Sequence, residues 1–574
     1  MHLIKSKFNI IIFISFFSHI LASYFSTGWV NADEQSCVLE YVNFKLGYQS
    51  DPCFLGILDG SVKDSSLIIR SWFQPFLYFI IAKILIFLNL TNFFTITFVL
   101  KLISSMLGFY AIYFFYNVTK KYIISNKIKK FYFIIIFLYW FFPLLHARTS
   151  AENLSTSFLL IALSYYLNNE NRQNIFKLTS FGILLGFAFV FRYNVGVCVA
   201  SILCWILFFE KNYLSKKIFN LIFIIFGIIV LIFIEQLTNL WGIEGKNFIS
   251  KINFLDISWI ISKTPSIQFF LYGSGNDFYS SSDWSNHPFF GYFYLTLFKY
   301  FPPISILVII GLLYTWFFGF RNIIVWVTLP YFIIHSLIPH KELRYIYPVL
   351  VFAPYFICYF LDKTNLKEQI KNIFIKGTLI LNFFGLIFFT FTSQTSELKI
   401  LKKIYYSEVK EVYYINSLNS VKYYESLNPF NVKNISTNYY FKFNRISYYE
   451  KINNKKTLII DNFCQRSSCV KQEHALWEKN NGNIDFDIKL KNIPKKKITV
   501  HLIKSENEGE LKDILKRKKI YSNFLVLTKD IATSKYFSEQ NKCQIIESKY
   551  PKWVYSINPK KIKNIILFKC NNFK

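Results

Sequence analysis

The feature that most constrains this chain is a series of long apolar runs in its first 392 residues, most of them bounded by Lys or Arg. A stretch of about 20 apolar residues is long enough to cross a bilayer as a helix. About twelve candidates occur, at 8–25, 75–90, 93–117, 131–146, 153–168, 178–191, 194–209, 218–238, 300–318, 322–339, 345–361 and 373–392. The sequence therefore predicts a polytopic α-helical membrane protein.

Composition argues against a soluble nucleic-acid-binding protein, although the charge alone would suggest one. Lys and Arg number 65 against 34 Asp and Glu, which gives a formal net charge of +31. Hydrophobic residues make up 53% of the chain, the mean hydropathy is +0.31, and the basic residues mostly flank apolar segments or lie in the tail. We therefore expect membrane lipids, and no nucleic acid, among its partners.

Basic loops set the expected topology, because Lys- and Arg-rich loops prefer the cytosol. Four such loops occur, at 120–130, 168–177, 210–217 and 362–371. Lys5 and Lys7 indicate a cytosolic N-terminus before the first run, which is either a retained signal anchor or a cleaved signal peptide. All four loops are cytosolic if one of the two segments between 71 and 117 is interfacial or re-entrant. About eleven helices then cross, and the C-terminus is luminal or periplasmic.

We expect two domains. Residues 1–392 form the transmembrane catalytic domain, with luminal loops at 26–74, 239–300 and 340–344, and the stretch 147–152 faces the same side. Residues 393–574 form a soluble α/β domain on the luminal or periplasmic side, with one helical stretch near 508–518. Its short β-like runs are 457–460, 498–503, 524–527 and 565–568.

The nine cysteines show no zinc-like double CxxC pattern. Cys37 and Cys53 lie in one early loop, and four more lie in the tail at Cys464, Cys469, Cys543 and Cys570. In an oxidising lumen these residues could form disulfides. Free thiols are the alternative, and the sequence does not decide between them.

Charged residues at membrane boundaries are costly unless they have partners or a function. The pair Asp33 and Glu34 lies just outside the first apolar run, followed by Arg70. An adjacent carboxylate pair can supply a general base that removes a proton from an attacking hydroxyl. The alternative is a helix N-cap that needs no ligand.

Two further boundaries carry polar groups. Arg148 and Arg192 could bind phosphate through their planar donor forks, or each could be an interfacial arginine that reaches towards water. The long outer loop carries aromatic and hydroxyl-binding side chains, namely Glu235, Trp241, Tyr272, Asp283, Trp284, His287, Tyr292 and Tyr294. Such a set suits the face of a sugar, and an aromatic belt at the membrane interface is the alternative.

The densest polar cluster is the run from His340 to Tyr345 (HKELRY), between Pro339 and Pro348. Its predicted position outside the membrane opposes the usual preference of basic residues for the cytosol. A phosphate site is therefore the better interpretation.

These motifs occur in the order seen in the glycosyltransferase family 22 mannosyltransferases, which are membrane enzymes of the GT-C class. The run HKELR at 340–344 resembles the HKExRF signature of that family, with Tyr345 in place of Phe. The supporting matches are the Asp33–Glu34 pair to HPDE, Arg70, Ser71 and Pro75 to RSxxxP, 147–156 to TRTxxNxxE, and 272–294 to an interrupted YGxHPWHWYF. The resemblance covers about 30–400.

The resemblance implies transfer of mannose from a polyprenyl- or dolichyl-phosphate mannose donor to a lipid-linked glycan, with inversion and with neither a cofactor nor a metal. It assigns catalysis to Asp33 and Glu34. Donor-phosphate binding is assigned to His340, Lys341, Arg344 and Arg148. Substrate and sugar binding are assigned to Arg70, Tyr272, His287, Tyr292, Tyr294 and Glu342.

Several alternatives stay open at this point. The soluble tail most resembles the enzyme that adds the third mannose to glycosylphosphatidylinositol precursors, while HKELR also resembles an α-mannosyltransferase of N-glycan precursor assembly. A flippase or transporter of lipid-linked saccharides is a candidate of a different class, but it would place charges at mid-membrane rather than in outer loops. An assembly subunit is a further candidate. The expected membrane is that of the endoplasmic reticulum in a eukaryote and the inner membrane in a bacterium.

Overall fold

A computed structural model gives the fold of the protein. The residues that it describes are 2–28, 30, 34, 38–46, 71–90, 93–168, 174–244, 249, 264–267, 286–392, 396–408, 411–417, 448–452, 455–460, 496–505, 523–528, 543–548 and 566–570.

The described part of the chain is mostly helical up to residue 406, as the apolar runs predict. The helices are α1 His2–Phe25, α2 Glu40–Lys45, α3 Phe73–Phe87, α4 Phe93–Thr119, α5 Asn126–Phe137, α6 Phe141–His146, α7 Ala151–Leu167, α8 Ile175–Phe191, α9 Gly196–Phe209, α10 Leu214–Glu244, α11 Gly291–Lys299, α12 Ile304–Phe318, α13 Ile323–Leu337, α14 Tyr347–Leu350, α15 Ala353–Lys363, α16 Glu368–Phe391 and α17 Ser396–Tyr406. Short 3₁₀ turns at Lys120–Tyr122, Tyr193–Val195 and Leu343–Ile346 connect some of them.

Several helices are long and apolar enough to cross a membrane. By length and composition the described residues contain four, at Phe94–Tyr122, Asn126–His146, Leu214–Gly242 and Glu368–Phe391. The pairs α12 with α13, and Leu343–Leu350 with α15, are bent by 113° and 51° and raise the number to six if each is one span. Shorter apolar helices lie at Asn9–Phe25, Phe73–Phe87, Ile175–Phe191 and Tyr193–Phe209. The expected number of about eleven stays a prediction, because length and composition do not decide whether the shorter helices cross.

The chain divides into two compact units. The first comprises 1–26, 56–78 and 98–392, and the second comprises 27–55, 79–97 and 393–574. The second unit thus takes in short stretches from the N-terminal part of the chain, so the simple division at residue 392 stays a prediction.

Small residues allow α8 and α10 to approach each other closely in the first unit. A Cβ atom on Gly182 would lie 2.0 Å from the carbonyl oxygen of Ile224, and one on Gly227 would lie 2.3 Å from that of Thr179. Helices in a bilayer associate through such close packing, since lipid gives them no hydrophobic drive to associate. This contact brings the end of α8, and with it Arg192, beside α10.

A single side chain of α16 holds the break between α5 and α6. Asn382 accepts a hydrogen bond from the Trp140 backbone N–H at 2.9 Å and donates one to the Leu138 carbonyl at 2.7 Å. The Trp140 ring packs on Phe389 and Tyr300, with centroids 4.7 and 5.1 Å away. The buried amide satisfies backbone groups that the break exposes, and it fixes the direction of α6 towards the polar segment that follows.

Two of the basic loops contact each other, as the topology predicts. The Asp362 carboxylate accepts from the backbone N–H groups of Ile124 and Ser125 at 2.9 and 2.8 Å. Lys127 and Glu368 form an exposed ion pair at 2.7 Å. The loops 120–130 and 362–371 therefore lie at the same end of their helices.

The tail of the second unit contains a seven-stranded mixed sheet. Its strands are β1 Glu411–Ser417, β2 Tyr448–Ile452, β3 Lys455–Ile460, β4 Lys496–Ser505, β5 Phe524–Thr528, β6 Cys543–Ser548 and β7 Ile566–Cys570, in the order β2-β3-β4-β1-β5-β7-β6. Strand β1 pairs in parallel with β4 and β5, while the other pairs are antiparallel. The four predicted β-like runs correspond to β3, β4, β5 and β7. The predicted helix at 508–518 lies outside the described residues.

Cys543 and Cys570 form a disulfide between the antiparallel strands β6 and β7, where they are register partners. For these two residues the structure decides the question that the sequence left open. Cys37, Cys53, Cys464 and Cys469 lie outside the described residues.

Candidate functional site

The polar segment before α7 is fixed by its own side chains. Asn153 donates from Nδ2 to the carbonyl oxygens of His146 and Arg148, at 2.9 and 2.7 Å. Ser150 caps the helix by accepting from the Asn153 backbone N–H at 3.3 Å, and Gln74 of α3 donates to the Thr149 carbonyl at 2.9 Å. Ser, Thr and Asn favour helix starts because their side chains bond nearby backbone groups. The segment therefore presents Arg148 and Glu152 in defined positions.

Arg148 reaches the end of α1. Its Nη2 atom donates to the Ser26 carbonyl oxygen at 3.1 Å, and Lys101 of α4 donates to the same oxygen. The exposed fractions of Arg148 and Lys101 are both 2%. Cations at a helix C-terminus are favourable, because the last carbonyls carry partial negative charge. Two cations thus stabilise the C-terminal end of α1 at Ser26.

The 3₁₀ turn at Leu343–Ile346 positions the predicted phosphate residues. Arg344 Nε lies 2.7 Å from Glu342 Oε2, and His340 Nε2 lies 3.3 Å from Glu342 Oε1. The Tyr331 hydroxyl of α13 donates to the Tyr345 carbonyl at 2.7 Å, which ties the turn to that helix. Glu342 therefore orients the Arg344 guanidinium and the His340 ring.

Lys341 joins this turn to the segment that precedes α11. Its ammonium group donates to the carbonyl oxygens of His287 and Ile338, at 3.0 and 2.6 Å. The His287 backbone N–H in turn donates to Pro339 at 3.0 Å. A Cβ atom on Gly291 would lie 2.6 Å from the His287 Cβ and 3.0 Å from the Lys341 Cδ, so this close approach requires glycine. Burial lowers the pKa of Lys341 from its ordinary value.

Arg192 and Glu152 join the same group from α8 and α7. Glu152 Oε1 lies 3.4 Å from Arg192 Nη2 and 3.9 Å from Arg344 Nη1. The guanidinium carbons of Arg192 and Arg344 lie 5.6 and 5.2 Å from the centroid of the Tyr345 ring, within cation–π range. We call Glu152, Arg192, His340, Lys341, Glu342, Arg344 and Tyr345 the ion-pair cluster.

The sequence pointed to this cluster only in part. It assigned His340, Lys341, Glu342 and Arg344 to substrate and considered Arg192 for phosphate, but it gave Glu152 no role. The sequence signal that could have identified Glu152 is its position in the first turn of an apolar helix, four residues after Arg148.

The predicted sugar-binding residues have different surroundings. His287 lies beside Lys341, as described above. The Tyr292 ring is buried and packs on Phe332 with centroids 5.8 Å apart. Tyr294 is 54% exposed and packs on Phe298 of its own helix.

A second buried polar group lies beside the cluster in sequence. The Tyr193 hydroxyl donates to the Glu235 carboxylate of α10, and Glu235 is fully buried. One turn further along α10, Asn239 accepts from the Trp72 backbone N–H at 2.7 Å, and the Trp72 and Trp241 rings pack edge to face at 6.2 Å. This group contains Glu235 and Trp241, which lie within α10; the sequence analysis was wrong to place them in the long outer loop, because the helix continues to Glu244.

Three predicted site residues, Asp33, Arg70 and Tyr272, lie outside the described residues. Glu34 is described and buried, and its Oε1 accepts from the Val30 backbone N–H at 3.2 Å. Across the described ranges, no three His, Cys, Asp or Glu side chains lie close enough together to hold a metal ion. Metal independence stays a prediction.

Solved structures similar to this chain include two of ArnT from Cupriavidus metallidurans. The structure bound to undecaprenyl phosphate is 9% identical and the apo structure is 8% identical. Each match covers 97% of both chains at a TM-score of 0.42. Among curated proteins, none matches the chain significantly.

The profile of the Alg9-like mannosyltransferase family matches residues 64–439, which is more than half of the 574 residues. The matched range includes the start of α7, Arg192 and the whole turn at 340–346. The predicted resemblance is therefore confirmed: the chain belongs to the Alg9-like mannosyltransferase family, and it is a glycosyltransferase.

Proposed function

We propose that the protein transfers mannose, with inversion, from a polyprenyl- or dolichyl-phosphate mannose to a lipid-linked glycan on the luminal or periplasmic side of its membrane. The ion-pair cluster binds the donor phosphate through His340, Lys341 and Arg344. Arg148 contributes less to binding of the donor phosphate, because its guanidinium contacts the Ser26 carbonyl. Asp33 is the general base, and Glu34 orients it or shares its charge.

The observation that carries this proposal is the charge of the cluster. Its three cations are Lys341, Arg344 and Arg192, and its two carboxylates are Glu152 and Glu342. Among the described members of the cluster, these cations therefore outnumber the carboxylates. Guanidinium and ammonium groups donate hydrogen bonds to phosphate oxygens, and the cluster gathers such groups where a donor phosphodiester can bind.

The same cluster favours the reaction as well as binding. When the bond from the sugar to phosphate breaks, the leaving phosphate monoester gains charge and approaches two negative charges near neutral pH. Cations already in place stabilise this developing charge without reorganisation. The acceptor hydroxyl attacks from the opposite face and needs one base, which is the role of Asp33. Inversion of a β-linked donor then gives an α-linked product.

The residues that bind the acceptor and the sugar are assigned from the sequence motifs. We assign Arg70, Tyr272, His287, Tyr292, Tyr294 and Glu342 to the sugar groups, following the sequence motifs. A soluble tail after the last membrane helix favours an acceptor of the glycosylphosphatidylinositol-precursor type over an N-glycan precursor. The seven-stranded sheet of that tail is consistent with this preference.

The luminal or periplasmic placement of the tail is supported by the disulfide between Cys543 and Cys570. Disulfides persist in oxidising compartments and are rare in the cytosol. Asn434, Ile435 and Ser436 form a sequon in the same tail. In sealed vesicles with the cytosolic face outward, the tail should resist added protease, and its digestion would overturn the placement.

The direct test is a transfer assay. Purified protein is incubated with radiolabelled polyprenyl-phosphate mannose and a panel of lipid-linked acceptors that includes glycosylphosphatidylinositol and N-glycan precursors. Labelled product that appears with one acceptor class identifies the pathway. Transfer of another sugar, with no transfer of mannose to any acceptor, would contradict the proposed donor.

A further inference from the structure

The Glu152 carboxylate lies between two arginines that come from distant parts of the chain. Its Oε1 atom is 3.4 Å from Arg192 Nη2 and 3.9 Å from Arg344 Nη1. Its side chain is 4% exposed, against 13% for Arg192 and 9% for Arg344. The carboxylate is therefore the most enclosed of the three charges.

Helix capping does not account for this carboxylate. Glu152 stands in the first turn of α7, where a negative charge is favourable. Ser150, however, already caps that turn by accepting from the Asn153 N–H. A buried carboxylate loses its hydration and needs close cations in return, and the two arginines are those cations.

Tyr345 adds a second constraint on the same pair. Both guanidinium groups lie within cation–π range of its ring, at 5.6 and 5.2 Å from the centroid. Two cations this close together repel each other. A carboxylate near both offsets that repulsion and sets the spacing of the two guanidinium planes.

We propose that Glu152 is a positioning residue that holds Arg192 and Arg344 as a paired clamp for the phosphate of the lipid-linked donor. The proposal rests on the proposed function, because it adds Arg192 to the phosphate site that contains Arg344. Each guanidinium can pair with two phosphate oxygens in a fixed plane. Glu152 does not touch the donor and acts only through the two arginines.

The test uses the purified full-length protein and polyprenyl phosphate as the probe, with binding followed by the shift in thermal unfolding temperature. Glu152→Gln should weaken binding of the probe and raise KM for polyprenyl-phosphate mannose by about 10- to 100-fold, while KM for the acceptor stays unchanged. Glu152→Asp should recover part of the loss. Glu210→Gln is the matched control, since Glu210 is a buried carboxylate at the C-terminal end of α9, and it should behave as the wild type.

A comparison of the single and double variants of Glu152 and Arg192 measures their coupling, which a purely structural role of Glu152 would not produce. If Glu152 acts through Arg192, the double variant Glu152→Gln with Arg192→Gln should bind the probe no more weakly than the weaker single variant. Losses that add in the double variant would contradict the proposal.

The outcomes separate this proposal from the proposed function. If Arg344→Ala binds polyprenyl phosphate normally, the phosphate site itself is wrong. If Arg344→Ala loses binding while a folded Glu152→Gln variant binds normally, only the role of Glu152 is wrong. Should Glu152→Gln fail to fold, a normal donor KM in both Glu152→Asp and Arg192→Lys would overturn the paired clamp.

Discussion

Arg148 and Arg192 look alike in the sequence, since each stands just after an apolar helix, yet the structure gives them different neighbours. Arg148 lies against the Ser26 carbonyl together with Lys101. Arg192 lies against the Glu152 carboxylate and the Tyr345 ring. The first arginine holds backbone, whereas the second belongs to a cluster of side-chain charges.

The difference shows that the partner, and not the arginine, decides the role. A backbone carbonyl carries only a partial charge, so the contacts of Arg148 and Lys101 with Ser26 stabilise the end of α1. The ion-pair cluster brings two guanidinium groups to one carboxylate and one ring, and guanidinium groups can bind phosphate oxygens. We therefore expect variants of the residues that contact the Ser26 carbonyl to affect stability, and variants of the ion-pair cluster to affect use of the donor.

The largest effect should come from Asp33→Asn, which replaces the proposed general base. An amide keeps the volume but cannot accept the proton of the acceptor hydroxyl, so kcat should fall by about 10²- to 10⁴-fold. The donor KM should change little. Transfer is measured in membranes at matched protein abundance, with Glu34→Gln beside it as the milder variant. Near-normal transfer by Asp33→Asn would remove this residue as the base.

Arg344→Ala should raise the donor KM more than it lowers kcat, which is the opposite of the pattern expected for Asp33→Asn. Hydrogen bonds to charged groups contribute about 1.5 to 3 kcal/mol, so KM for the donor should rise by about 10- to 100-fold. Arg344→Lys should recover only part, because an ammonium group lacks the planar fork. Initial rates over a range of donor concentrations give KM and kcat separately. A drop in kcat alone would assign Arg344 to another role.

Arg148→Ala should mainly reduce stability. Its buried guanidinium bonds the Ser26 carbonyl, and losing such a bond costs about 1 to 3 kcal/mol. We expect a lower thermal unfolding temperature in detergent and a donor KM that rises less than in Arg344→Ala. Arg321→Ala, at an exposed loop position, serves as the control. A donor KM raised as much as in Arg344→Ala, at unchanged stability, would show that Arg148 binds the phosphate as strongly as Arg344 does.

The smallest effect should come from Tyr345. Tyr345→Phe keeps the ring on which both guanidinium groups lie, so donor KM should change by less than about twofold. Tyr345→Leu removes the ring, and the loss of cation–π contacts worth about 0.5 to 2 kcal/mol should raise donor KM several-fold. The Tyr331 bond is to the backbone of Tyr345 and is kept in both variants. Equal KM values for the two variants would show that the ring does not hold the arginines.

Local patterns in the sequence were sufficient to predict most elements of the fold. The apolar runs correspond to helices, and the runs at 457–460, 498–503, 524–527 and 565–568 correspond to strands. Hydropathy and β-propensity are properties of neighbouring residues, so a linear scan detects them. The HKELR run was equally local, and it identified the family that the profile match confirms.

The partners of the charged side chains depended on tertiary structure. Glu152, Arg192 and Arg344 are far apart in the sequence, and they meet because α7 packs against α8 and against α14, which follows the turn that carries Arg344. Nothing local distinguishes Arg148 from Arg192, since both follow apolar helices. The sequence alone determined where the charges stand along the chain, whereas helix packing decided which charges lie within 4 Å of one another. An ionic contact depends on that distance, which is why the two arginines differ only in the folded protein.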